Sequence, residues 1–113
     1  MKRDMELVRA LLLKFEGETP VELTKWTDAQ CLDHVIMMAE AGFLDKEGII
    51  GNKPNWKRHV PRLTWAGHDF LDAARNDTVW NTAMAKIKEK GIDVTIDVLK
   101  EILTGILRGS LIT

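Results

Sequence analysis

Apolar residues recur along the chain with a period that changes from segment to segment. Met5, Val8, Leu12 and Phe15 stand three and four apart, Leu7 and Leu11 widen the stripe, and charges fall between them. This spacing predicts an amphipathic helix from Lys2 to Phe15, with Gly17 as its C-cap. After Pro20, the run Val21-Glu22-Leu23-Thr24-Lys25-Trp26 alternates apolar and polar, the period of a half-buried strand. Thr27 is a capping residue type, and Asp28 follows it where the helix dipole favours an acid. Leu32, Val35, Ile36 and Ala39 restore the helical period, so a second helix is predicted over Thr27–Ala41, stopped by Gly42. Phe43-Leu44 and Ile49-Ile50 flank the turn-like Asp45-Lys46-Glu47-Gly48 and read as a hairpin. From Gly51 to Pro61 the periodicity is lost, and Gly51, Asn52, Pro54 and Asn55 mark a loop. Val60-Pro61-Arg62-Leu63 reads as a short strand, at an edge because Pro61 has no N–H to give a ladder.

The rest of the chain has the helical period. Thr64 caps a helix carrying Trp65, Phe70, Leu71 and Ala74, which Asn76-Asp77 breaks. Asp77 caps a further helix bearing Val79, Trp80, Met84 and Ile87, closed by Gly91. Thr95 caps the last, whose stripe of Val98, Leu99, Ile102, Leu103, Ile106 and Leu107 runs to Gly109. The order is helix, short strand, helix, hairpin, then three helices. It predicts a mainly α fold with a small β-hairpin, winged-helix-like, in one domain of residues 1–113 with a C-terminal helical extension at about 77–109. One departure is visible: Thr27–Ala41 has room for one helix where a standard winged helix has two.

Composition supports a single soluble, cytoplasmic domain. A chain of 113 residues, 45% hydrophobic, matches the commonest domain size of about 100–150 residues. One cysteine, Cys31, excludes an intramolecular disulfide framework and fits a reducing compartment. No apolar run approaches the roughly 18–20 residues of a spanning helix, and Asp4 and Glu6 interrupt what would be a signal sequence, so no membrane partner is expected.

The net charge of −1 conceals an uneven distribution. From Gly48 to His68 there is no Asp or Glu, while Lys53, Lys57, Arg58 and Arg62 fall within that stretch beside His59, His68 and Trp56. All 17 acidic residues lie elsewhere. A basic loop carrying an aromatic can contact phosphates and stack on a base; the plainer alternative is a solvated loop with Trp56 folded back over the sheet. The second helix offers Asp28, Gln30, Asp33, His34, Met37 and Glu40 outward and has no Lys or Arg, the residues that most often read guanine edges. Of the four tryptophans, Trp65 and Trp80 fall within helical patterns and are expected in the core with Trp26, which leaves Trp56 for contact.

Several segments together resemble a small bacterial and prophage family catalogued as a domain of unknown function. They are the opening Met1-Lys2-Arg3-Asp4-Met5-Glu6-Leu7, His34 with Ala41-Gly42-Phe43, and the stretch Arg62-Leu63-Thr64-Trp65 with Gly67-His68, Phe70, Leu71 and Asp72. Arg75, Asp77, Val79 and Trp80 follow the same pattern, as does Asp97-Val98-Leu99-Lys100-Glu101. The likeness runs nearly end to end. It implies a winged-helix-like domain often encoded near mobile elements, and it implies no activity.

Candidate chemistry is sparse. Cys31 and His34 share a helix face at i, i+3, and with His59 or His68 they would make a zinc set; no second cysteine pair exists, and a buried cysteine beside a packed histidine is the commoner arrangement. Nothing equips Cys31 as a nucleophile with an oxyanion hole. His68 with Asp72, and Asp72 with Arg75, have the spacing of helix-surface pairs. No phosphate loop, dinucleotide loop or metalloprotease motif is present. The expectation is a non-enzymatic binding module with no metal or cofactor. In one reading it is a small regulator of a phage or mobile element, binding double-stranded DNA through Lys53, Trp56, Lys57, Arg58 and Arg62. In the other it is a protein-interaction module of winged-helix-like fold that does not bind DNA. The wide C-terminal stripe either closes the core over the first helix or forms a homodimer interface through Leu99, Ile102, Leu103 and Ile106.

Overall fold

The computed structural model describes residues 3–45, 60–91 and 94–112, with side chains through 109. Five helices follow one another: α1 (Met5–Glu16), α2 (Asp28–Glu40), α3 (Trp65–Ala74), α4 (Asp77–Lys90) and α5 (Ile96–Ile112). The chain divides into two compact units, Met1–Asp69 and Phe70–Thr113, so α3 begins in the first and ends in the second.

In the first unit, α1 and α2 pack against each other. The α1 stripe Leu7, Val8, Leu11, Leu12 and Phe15 is buried, as are Cys31, His34, Val35, Met38 and Ala39 of α2. α1 starts at Met5 because Asp4 is its cap: the carboxylate Oδ1 accepts from the N–H groups of Glu6 at 3.0 Å and Leu7 at 3.3 Å. Gly17 ends it with φ 81°, a left-handed conformation that glycine adopts without strain. The predicted second helix stands almost residue for residue. Thr27 forms a reciprocal capping box with Gln30, its Oγ1 accepting from Gln30 N–H at 3.1 Å and its own N–H donating to Gln30 Oε1 at 2.8 Å.

The β part of the prediction is overturned, and with it the winged-helix layout. Among the described residues there is no strand, only one isolated antiparallel bridge, Leu44 to Leu63. Around it, Asp45 N–H donates to Arg62 O at 2.8 Å and Thr64 N–H to Phe43 O at 3.0 Å. Past Thr64 the chain enters α3 and just before Phe43 it leaves α2, so the pairing cannot lengthen in that direction. In addition, Phe43 and Leu44 are buried in succession, where a half-exposed strand would alternate. Val21–Trp26 is not a strand either. It turns at Thr24-Lys25, Trp26 N–H donates to Leu23 O at 3.2 Å, and among the described residues no second segment pairs with it. The predicted strand Ile49-Ile50 and the loop 51–59 lie outside the described residues.

α3 begins close against the turn that ends α2. Thr64 Oγ1 donates to Gly42 O and accepts from Gly67 N–H at 3.1 Å, capping α3 and tying it to the α2 exit in one group. Gly67 makes this approach possible: a Cβ there would overlap the carbonyl oxygen of Phe43. In the second unit α4 packs on α5. The α4 cap is Asn76, accepting from Val79 N–H at 3.0 Å, one residue before the Asp77 expected from sequence, and Gly91 closes the helix at φ 64°. Thr95 Oγ1 accepts from Val98 N–H at 3.2 Å at the start of α5, as its sequence position predicts. Trp80, Ala83, Leu99 and Leu103 are buried there.

Candidate functional site

Of the five residues expected to touch nucleic acid, Lys53, Trp56, Lys57 and Arg58 lie outside the described residues. Arg62 is described and exposed, its backbone carbonyl bonded to Asp45. It leads directly into the first turn of α3, where the largest departure from expectation occurs. Trp65 is not in the core: it is 86% exposed, and Val60 on the same approach is 57% exposed. The helical wheel explains this. Gly67, Phe70, Leu71 and Ala74 form the buried stripe of α3, while Trp65, Asp69 and Asp72 share the opposite face with His68 beside them. Asp72 pairs with Arg75 at 3.3 Å, an exposed i, i+3 contact.

A second departure concerns His34, expected to face outward on α2. It is buried, 2% exposed. Its Nε2 lies 2.9 Å from the backbone N–H of Asp4, which can only donate, and its Nδ1 lies 2.7 Å from Gln30 O, which can only accept. The two partners therefore select the neutral tautomer carrying its proton on Nδ1. Asp4 serves a third partner, since its Oδ2 accepts the indole Nε1–H of Trp26 at 2.9 Å. One acidic residue thus caps α1, receives the connector through Trp26 and binds α2 through His34. With both ring nitrogens bound to the backbone, His34 has no lone pair left for a metal and none for activating Cys31. Among the described residues no group of three or more His, Cys, Asp or Glu could hold a metal ion. His59 lies outside them, and His68 is exposed on α3.

Beside this junction is a cavity of about 690 Å³ within the first unit. Lys14 and Phe15 bring the last turn of α1 to it, Leu23, Thr24 and Trp26 the connector, Asp28 and Cys31 the start of α2, and Val60 completes the lining. The indole N–H of Trp26 is used by Asp4, so what Trp26 gives the cavity is ring surface. Sequence periodicity gave no sign of this cavity, because its walls come from three separated segments.

The residues expected to form a dimer interface are divided by the fold. Leu99 and Leu103 are fully buried within the single chain and have no surface to offer a second copy. Ile102 and Ile106 line a cleft of about 330 Å³ between α4 and α5, together with Ile87, Lys86, Lys90 and Glu101. Among the described residues, no helix is long and apolar enough to cross a membrane.

The family described as Hypothetical protein (DUF2513) matches residues 2–93, a span that holds the α1 cap, the cavity lining and the Arg62–Trp80 segment. An uncharacterized protein of Haemophilus influenzae is 34% identical over 115 residues, covering 95% of this chain and 96% of its own. No solved structure matches the chain.

Proposed function

The chain belongs to the family described as Hypothetical protein (DUF2513), and we propose that it acts as a binding module and not as an enzyme, recognising another protein through the first turn of α3 and the residues leading into it. The observation that carries this reading is Trp65. A tryptophan buries roughly 150–250 Å² when it finds a partner, and tryptophan and arginine are the residue types richest in interface hot spots. Here one stands 86% exposed, with Val60 exposed five residues before it and Arg62 exposed between them. The charges fit a protein better than a polyphosphate: Asp69 shares the Trp65 face, and α2 carries the exposed acids Asp28, Asp33 and Glu40 and contains no Lys or Arg. A non-catalytic role is supported by His34, whose ring is fully engaged by backbone groups.

The test is affinity capture with the wild-type chain and a Trp65→Ala variant side by side. A discrete protein retained by the first and lost by the second supports the reading, provided both melt at the same temperature. Equal retention by the two would sink it.

A second reading rests on the acid-free stretch from Gly48 to His68. There Lys53, Trp56, Lys57, Arg58 and Arg62 would contact the phosphates of double-stranded DNA, and the chain would be a small regulator. Binding of mixed-sequence duplex that falls steeply with salt and is lost in a Lys57→Ala/Arg58→Ala variant would decide for this reading over the first.

A further inference from the structure

His34 and Asp4 meet in a way that only one protonation state of the ring allows. His34 is buried on α2, and α1 is the helix packed against α2. The ring Nε2 accepts the backbone N–H of Asp4 at 2.9 Å, and Nδ1–H donates to Gln30 O at 2.7 Å. The first bond uses the one ring lone pair that a neutral imidazole offers, the same pair that takes up a proton in acid. Histidine is the side chain whose ordinary titration falls between pH 5 and 8.

Few titratable groups surround the ring. The buried stripe of α1 carries none, Glu6 and Arg9 stand off that stripe, and Arg3 is exposed. On α2 the buried titratable neighbour is the Cys31 thiol, one turn before His34, while Asp28, Asp33 and Glu40 are exposed. The connector brings the uncharged Trp26, with Glu22 and Lys25 exposed on it. The carboxylate at the junction is that of Asp4, whose Oδ1 holds the first N–H groups of α1 and whose Oδ2 holds the Trp26 indole.

From this geometry we propose that the Asp4–His34 contact is a pH-operated latch on the head of α1. A proton from solvent that joins Nε2 turns the acceptor into a donor, and two N–H groups then face each other at a hydrogen-bond separation. The contact breaks, and what leaves His34 is the residue that caps α1 and holds Trp26. The open junction binds the proton that the closed one excludes, so acid favours opening and neutral pH favours closure. Because the Trp26 ring lines the cavity of the first unit, proton uptake at His34 is felt in the wall of that cavity.

The test uses the full chain between about pH 7.5 and about pH 5, above the range in which carboxylates ordinarily take up protons. Histidine ring ¹⁵N shifts follow the protonation of His34, and hydrogen-exchange protection factors follow the Asp4 N–H and the Trp26 Nε1–H. His34 is expected to carry a single proton, on Nδ1, at the upper end, and both protection factors to fall at least about tenfold as the ring takes up its second. In a His34→Gln variant the side-chain oxygen still accepts the Asp4 N–H and does not titrate, so both factors should stay constant with pH. A His59→Gln/His68→Gln variant should respond as the wild type does, and it carries the test with the ring spectra if the first variant does not fold. The proposal is overturned if His34 stays neutral down to pH 5, or if the His34→Gln variant opens as the wild type does. It is equally overturned if the His59→Gln/His68→Gln variant loses the response, or if His34 is protonated while Asp4 and Trp26 stay protected, the result of an Asp4 carboxylate that takes the new N–H in place.

Discussion

At the scale of single residues, Asp4 joins α1, the connector and α2 of the first unit. Its carboxylate takes two helix N–H groups and an indole N–H, its own N–H goes to His34, and its carbonyl receives Val8 N–H at 3.1 Å. Replacing a capping acid by alanine costs about 0.5–2 kcal/mol, and an indole donor left without its acceptor adds about 1–3. Asp4→Ala is therefore expected to destabilise by about 2 kcal/mol or more in urea unfolding. Trp26→Phe, which removes donor and demand together while keeping a ring, should cost less; the reverse order would mean that the indole bond is unimportant. The two described tryptophans outside the connector form a matched pair. Trp80 is 1% exposed and Trp65 86%, so Trp80→Ala should cost about 3–5 kcal/mol while Trp65→Ala stays within about 0.5. Equal losses would place Trp65 in a core after all. The exposure of Trp65 was legible before any coordinates, because it stands on the same helical stripe as Asp69 and Asp72. Reading it by residue type, as a large apolar group that belongs inside, hid that signal.

At the scale of elements, the helices were legible and the β part was not. A helix satisfies its own backbone within the segment, so period and caps suffice to read it; Thr27, Gly17 and Gly91 mark their ends as expected. A strand needs a partner that alternation cannot supply. Val21–Trp26 alternates well, yet it is held by a turn and by one indole bond. Gly67 shows a constraint between elements that propensity would misjudge. Alanine is the better helix former by about 1 kcal/mol, so on local grounds Gly67→Ala stabilises α3. Here the new methyl would overlap the Phe43 carbonyl, and the expected outcome is destabilisation by several kcal/mol, with the contacts of Thr64 to Gly42 and Phe43 the first to open. A thermal melt of G67A that rises would refute this packing.

At the scale of the whole molecule, the last helix changes meaning. Its apolar stripe reads in sequence either as part of the core or as a surface for a second copy, and Leu99 and Leu103 are buried within the chain, where α5 packs on α4. Leu103→Ala should therefore lower stability by about 2–5 kcal/mol, with a melting temperature independent of protein concentration, since a subunit equilibrium would make it rise with concentration. A melt that shifts with concentration in the wild type and loses that dependence in the variant would show a subunit equilibrium through this helix instead. The sequence alone determined the mainly helical class, most of the helix ends and the segregation of charge, because each depends on groups close together along the chain. The tertiary structure alone decided that Asp4, His34 and Trp26 join, that among the described residues the predicted β segments yield only a single bridge, and that a cavity opens between α1, the connector and α2. These depend on which distant backbone and side-chain groups satisfy one another, and spacing along a chain does not record that.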